Sequence, residues 1–375
     1  MISEIGEPVA NLFDDLRARL IEEYDVWRLV DQRHFEEFGK PHLSQQVICD
    51  IDKTYLETEF EKFSSLAKIP FEGAEEKKTV PGASIVLRCF RWGDMDDISD
   101  QFQQYPKPLH FVSASPPQLR RVLREKLVLD SLDWSSDTFK NQVYNLSRGE
   151  FKRLRNQVGY KTAAILKLIT NGPAHTAYTM IGDNAEADAQ IYMGIKLFVE
   201  NKISVNTFKR YLLAMGIKEQ EYKTLIPQIK IPEGITVPGI FIRRLRNKDI
   251  RHSEPISSWI NYFDSFLHLA CYFVYAGLLE LKMLWSICRY FHNKNDVSLD
   301  VICGILEQAA LFFSNKEEVE AMLQLSQGLK KLRSNIKPTP FEDNFLPPKL
   351  GAIDTSLTEE AIELQLLQWV PQEHS

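Results

Sequence analysis

The chain has 375 residues, room for about two domains at roughly 100–200 residues each. An apolar share of 44% with 26% charged residues excludes collagen-like, coiled-coil and wholly disordered chains. Lys+Arg 45 against Asp+Glu 51 leaves a net charge of −6, which disfavours a dedicated nucleic-acid binder, and no nucleic-acid partner is expected.

Between residues 8 and 30, Leu12, Leu16 and Leu20 with Phe13, Ile21, Tyr24 and Trp27 recur at three- and four-residue spacing, which predicts a helix with one apolar stripe. This N-terminus is acidic and amphipathic, without the basic-then-apolar layout of a secretory signal, so a cytoplasmic location is expected. The five cysteines are odd in number and widely spaced, with no CxxC pair, and predict neither a disulfide framework nor a zinc site. The histidines form no HxxxH or HExxH grouping.

Gln46 to Ile51, QVICDI, is a short apolar run breaking into acidic residues, as expected of a buried parallel strand. A second strand is predicted at Leu109 to Val112, left through SASPP into a helix near Gln118 to Leu127. A third spans Tyr178 to Ile181, ends in Gly182-Asp183 and is followed by a helix near Ala185 to Phe198. Strand, acidic or hydroxyl loop, then helix is the rhythm of an α/β fold built on a parallel sheet, with its site along the strand carboxyl ends. After a helical insertion at about 200–233, Val237 to Ile242 adds a further strand, and the basic RRLRNKDIRH ends the α/β core near residue 250.

From Pro255 the pattern is helical, with candidates at Trp259 to Tyr290, Leu299 to Phe313, Lys316 to Leu332 and Thr358 to Trp369. The run Ser265 to Leu279 is shorter than the roughly 20 residues of a membrane span and predicts a buried helix. Lys337 to Gly351 is proline-rich and reads as a linker. The expected division is an N-terminal helical segment at 1–43, an α/β domain at 44–250 and a mostly α-helical C-terminal region at 251–375.

Asp50-Ile51-Asp52-Lys53-Thr54 is a DxDxT at a predicted strand end, where alternate side chains can address one pocket. One carboxylate can attack phosphorus while the other, kept protonated, donates to the leaving oxygen. A phosphoryl dianion will not approach two carboxylates without a neutralising cation, so Mg²⁺ with oxygen ligands is the natural companion. Ser113 at the next strand end and Lys161, expected to open a helix, can hold phosphoryl oxygens. Asp183 offers a further metal carboxylate, and Asp188, five residues on, an indirect one.

The order acid pair, Ser, Lys, acid pair resembles the four motifs of the haloacid dehalogenase superfamily of phosphatases. PFEGAEEKKTVPG, HFVSASPPQL, GYKTAAIL, GDNAEADAQIY and VPGIFIRRL are similar to the catalytic domain of the actin-patch-type phosphatidate phosphatases, relatives of the lipins, and their bacterial homologues, over roughly residues 44 to 246. The resemblance implies a Rossmann-like sheet and a Mg²⁺-dependent phosphomonoesterase with Asp50 as nucleophile and Asp52 as acid/base. It further implies metal binding by Asp50, the Asp52 main-chain carbonyl and Asp183, and phosphate binding by Ser113 and Lys161, with Thr54 also at the substrate. This chain departs from the family at Lys53, where a second acid is common, at Asn184-Ala185, where Ser-Gly is common, and in the insertion at 200–233.

Two basic clusters, Arg120 to Lys126 and Arg243 to Arg251, and the aromatic stretch Trp259 to Trp285 are candidate contacts for a lipid surface. Their ordinary reading is a solvated rim for each cluster and core packing for the aromatics. The expected function is a Mg²⁺-dependent phosphatase working through an aspartyl-phosphate on phosphatidate, with peripheral membrane contact. The alternatives are a phosphatase for a soluble phosphomonoester and a noncatalytic binding module whose helical half recruits a partner.

Overall fold

The computed structural model describes residues 44–57, 73–93, 106–115, 119–139, 150–219, 222–223, 229–245, 256–331, 347–351, 353 and 356–370. The helix expected between residues 8 and 30 lies outside them. Six parallel strands form one sheet: β1 (Gln45–Cys49), β2 (Leu109–Ser113), β3 (Ser136–Phe139), β4 (Ala177–Asp183), β5 (Ile240–Arg243) and β6 (Ile260–Phe263), in the spatial order β3-β2-β1-β4-β5-β6. The order reverses between β1 and β4, and a doubly wound sheet opens its crevice there, at the carboxyl ends.

The central strands read as continuous apolar runs because both faces are covered. Val47 and Cys49 of β1, Ile181 of β4 and Phe241 of β5 point into one core, whereas Ile48, Met180, Ile240 and Ile242 point into the other. The first layer is built from α1 (Ala83–Trp92) and α2 (Arg120–Leu129), the second from α3 (Glu150–Asn171), α4 (Asp188–Val199) and α5 (Val205–Ala214). The C-terminal helices α6 (Phe266–Tyr275), α7 (Met283–Asn295), α8 (Leu299–Ala310) and α9 (Lys316–Lys331) continue the first layer, and α10 (Glu359–Gln368) joins the second against α5. Gly82 precedes α1 with φ +80, and a Cβ there would lie 2.0 Å from the Phe291 ring of α7. Only glycine permits that approach.

The structure divides the single helix expected from Trp259 to Tyr290. A 3₁₀ turn at Ile256–Trp259 leads into β6, and α6 starts only after Ser265, whose Oγ accepts from the His268 N–H. Gly277, at φ +68, then separates α6 from α7. The alternating INYF segment gains a ladder on β5 that a helix would forgo. The sheet therefore runs past residue 250. Ser265 to Leu279 is nevertheless largely core, with Phe266, Leu267, Tyr272, Phe273, Leu278 and Leu279 buried, and no described helix is long and apolar enough to cross a membrane.

β3, SDTF, has no apolar signature and escapes sequence reading. Its buried Asp137 accepts from Arg124 Nε at 2.8 Å, Trp134 Nε1 at 2.8 Å and Arg120 Nε at 3.0 Å. Lys126 Nζ lies 2.9 Å from Asp130. The Arg120 to Lys126 cluster is thus mainly neither a solvated rim nor a lipid contact, because Arg120, Arg124 and Lys126 are taken up by acids of the fold. Arg121 is exposed, and Arg120 stays partly exposed while paired.

Phe241 joins the sheet to the helical layer, its ring 5.7 Å from both Tyr272 and Phe273. Truncating a fully buried aromatic typically removes about 3–5 kcal/mol. Phe241→Ala should lower the urea midpoint by a corresponding amount, and an unchanged midpoint would show that the helical layer does not depend on this contact.

Candidate active site

β1 delivers Asp50 one residue beyond its end, β2 ends on Ser113 and β4 ends on Asp183. Cys49 is in register with Phe111 on one side and Ile181 on the other, so the residues that follow meet at the switch point. The Asp50 N–H donates to Ile181 O at 2.9 Å, and Ile51 O accepts from Tyr55 and Leu56 N–H at 3.0 and 2.9 Å, folding DxDxT into a tight turn. Lys53 in that turn has φ 62, a left-handed conformation that costs a non-glycine residue about 1–3 kcal/mol.

Asp50 is fully buried and neither of its carboxylate oxygens accepts a hydrogen bond among the described residues. Lys161 Nζ stands 2.8 Å from its Oδ1 as an ion pair. The same ammonium lies 2.6 Å from Asp188 Oδ1 and 3.0 Å from Glu186 Oε2. Lys161 sits in the interior of α3 rather than opening a helix as expected, and projects from one covering layer to the strand ends. Asp188, the first residue of α4, receives the Asp183 N–H on Oδ2 at 3.3 Å. Thr54 Oγ1 donates to Asp183 Oδ2 at 3.4 Å.

Asp50, Asp183 and Asp188 each offer one carboxylate oxygen within 4.8 Å of the others, all from buried side chains. A donor set of hard oxygens fits a hard divalent cation. Both oxygens of Asp188 and both of Asp183 already have donors within the fold, whereas Asp50 has only the Lys161 ammonium beside Oδ1 among the described residues, so Asp50 is the acid of the three most open to a cation. The Asp52 side chain is outside this cluster. It turns the other way and accepts from Ser115 Oγ at 2.6 Å and Ser113 Oγ at 3.0 Å, while the Ser115 N–H donates to Ser113 Oγ at 2.9 Å. Ser113 therefore orients Asp52 in this arrangement.

The charges are strongly perturbed. Burial raises the Asp50 carboxyl well above the usual range, with Lys161 opposing and Asp188, Glu186 and Asp183 adding to the rise. Asp183 is pushed up to about 8 by burial, then by Asp188 and Glu186. Asp188 is raised chiefly by burial, against Lys161. Burial alone would lower Lys161, but Asp188, Asp50 and Glu186 outweigh it and hold the ammonium charged. Asp52 is raised by burial and restrained first by the Ser115 hydroxyl. Such a site has more carboxylate than its lysine can balance, and a bound cation would relieve it.

Three participants escaped sequence reading. Ser115 follows Ser113 by two residues, the same alternate spacing that makes Asp50 and Asp52 conspicuous. Glu186 stands between Asp183 and Asp188 in a segment already marked as acidic. Arg243, read as part of a basic patch, turns inward instead, and Nη1 donates to Lys53 O at 2.6 Å. Its neighbour Arg244 pairs with Asp264; residues 246–255, the rest of that patch, lie outside the described residues.

Gly182 determines how closely Asp188 approaches β4. A Cβ at this position would lie 2.5 Å from Asp188 Oδ2 and 2.7 Å from Asp188 Cβ. Gly182→Ala should displace Asp188 and with it Lys161, and a displacement near 1 Å commonly costs about 10²-fold in rate. Turnover of an aryl phosphate alongside circular dichroism tests this, and a folded variant of undiminished rate would refute it.

Residues 45–205 match the family model of the catalytic domain of phosphatidate phosphatase APP1. No curated protein and no solved structure matches the chain. Asp50, Asp52, Thr54, Ser113, Lys161, Asp183 and Asp188 all fall inside the matched segment, whereas β5 and β6 lie beyond it. The resemblance read from the motifs is thereby met over the residues that carry the chemistry: residues 45–205 are similar to a phosphatidate phosphatase catalytic domain, which indicates a phosphoric monoester hydrolase.

Proposed function

We propose that the protein is a Mg²⁺-dependent phosphatidate phosphatase of haloacid dehalogenase type, acting through an aspartyl-phosphate on Asp50. The observation that carries this reading is the Asp50 carboxylate, which is buried, has the Lys161 ammonium 2.8 Å from Oδ1 and meets no other donor among the described residues. A carboxylate with one oxygen left undonated keeps lone pairs for attack. Asp50 would attack phosphorus as the bond to the leaving alcohol oxygen breaks, and Asp52 would give its proton to that oxygen. Asp52, then a carboxylate, would take a proton from the water that attacks the phosphoryl-Asp50 and releases phosphate. The raised proton affinity of Asp52 suits the first role, and the Ser113 and Ser115 hydroxyls hold its carboxyl in place for both.

Asp50 and Asp183, with the Asp52 main-chain carbonyl, would hold Mg²⁺, which supplies charge neutralisation for the phosphoryl group. Lys161 would then share its ammonium between Asp50 and the incoming phosphoryl oxygens. Glu186 and Asp188 keep it at the strand ends.

The substrate is the finer question, and one observation favours the alternative of a soluble phosphomonoester. The aromatic stretch after Trp259 is mostly core, and most of the Arg120 to Lys126 cluster is held by Asp137 and Asp130. Neither forms a lipid-facing mouth. The matched catalytic domain keeps phosphatidate as the preferred reading, with peripheral contact at the membrane that presents it.

Asp50→Asn should abolish turnover with the fold intact, since an amide cannot accept the phosphoryl group; Asp52→Asn should lose about 10²–10⁴ in rate. A wild-type rate in the Asp50→Asn protein would remove the mechanism. Excess chelator should silence the enzyme and Mg²⁺ restore it, so full activity in chelator excludes the metal. The purified enzyme should hydrolyse phosphatidate in mixed micelles with a higher kcat/KM than glycerol 3-phosphate. The reverse preference would keep the phosphatase and discard the lipid.

A further inference from the structure

We propose that Arg243 is a positioning residue, fixing the turn that carries Asp50 and Asp52. It lies beyond the matched catalytic segment, at the carboxyl end of β5 and in register with Asp183. Its side chain crosses to the DxDxT turn, where Nη1 donates to Lys53 O at 2.6 Å. Nε is also buried and has no hydrogen-bond partner among the described residues. Successive side chains of a strand point to opposite faces, and Arg244 accordingly turns away to Asp264. Burial lowers the proton affinity of Arg243, and the Glu57 and Asp183 carboxylates oppose it.

The carbonyl it holds belongs to Lys53, a non-glycine residue at φ 62. A turn of this kind needs an outside contact to stay in its left-handed form, since an L-residue there relaxes readily toward the ordinary regions. Lys53 lies directly between Asp52, which faces Ser113 and Ser115, and Thr54, which faces Asp183. Rotation of the Lys53–Thr54 peptide would move both neighbours. Arg243 therefore couples β5 to the acid pair without touching the reacting atoms. The catalytic part of this inference rests on the roles proposed for Asp50 and Asp52.

The test compares Arg243→Met with Arg244→Met in the full-length protein. Kinetics use an aryl phosphate, and hydrogen exchange is followed over residues 51–56. Misplacement of the acid pair should lower kcat about 10–100-fold in Arg243→Met and leave KM within about twofold, because ground-state binding is spared. Added guanidinium ion should restore part of the rate, and exchange should quicken in residues 51–56 while β1 and β4 stay protected. Arg244→Met, which removes the same charge from the neighbouring position, should behave as wild type in both assays. A rise in KM at unchanged kcat would make Arg243 a substrate contact and overturn the proposal, as would exchange quickening throughout the sheet or no change in either readout. Should the wild-type protein hydrolyse no phosphate, the phosphatase mechanism fails, and exchange alone decides: local quickening supports the turn contact and unaltered exchange refutes it.

Discussion

The site depends on the burial of more carboxylate than one ammonium can balance. Asp50, Glu186 and Asp188 all act on Lys161, and Asp50, Asp183 and Asp188 are fully shielded from water. Charges this close in a poorly solvated pocket cannot all persist, and the strain appears as carboxyls pushed above their ordinary range. Two partners relieve it: protons, or a hard cation with oxygen ligands. The same imbalance would destabilise an ordinary core; here the pocket's hard oxygen donors fit a divalent cation.

The fold makes that concentration of charge tolerable by confining it to one end of the sheet. Below Asp50 and Asp183 the strands are apolar on both faces, with Val47, Cys49, Ile181 and Phe241 in one layer and Ile48, Met180 and Ile240 in the other. Each acid is then held from a different element: Asp50 and Asp183 from strand ends, Asp188 from the start of α4 and Lys161 from within α3. Because these anchors are themselves packed, the ammonium and the carboxylates cannot drift apart to relieve the charge. Gly182 tightens the arrangement further by letting Asp188 lie against β4.

Asp50 and Asp52 are two residues apart yet occupy different environments. Asp50 meets the Lys161 ammonium and no other donor among the described residues, whereas Asp52 meets two hydroxyls. Such a difference in surroundings separates a nucleophile from a proton carrier. It arises where the chain leaves β1, with Asp50 directly past the strand end and Asp52 inside the turn closed on Ile51 O.

The sequence by itself determined the elements whose signals are local. Apolar runs ending in Asp50, Ser113 and Asp183, together with Val237 to Ile242, marked four strands, and the spacing of these residues with Lys161 and Asp188 marked the chemistry, since a strand end gives a hydrophobic run and a functional residue in adjacent positions. The tertiary structure alone decided the rest. β3 is too polar to be recognised until Arg124 and Trp134 satisfy Asp137, and β6 reads as part of an aromatic helix until β5 offers it a ladder. Arg243 and Lys53 are far apart in the chain, and no local pattern relates them; a guanidinium in a basic run looks solvated until the fold places a carbonyl before it. Periodicity and spacing report interactions between near neighbours in sequence, whereas the direction a charged side chain takes depends on which distant group the packed chain brings within reach.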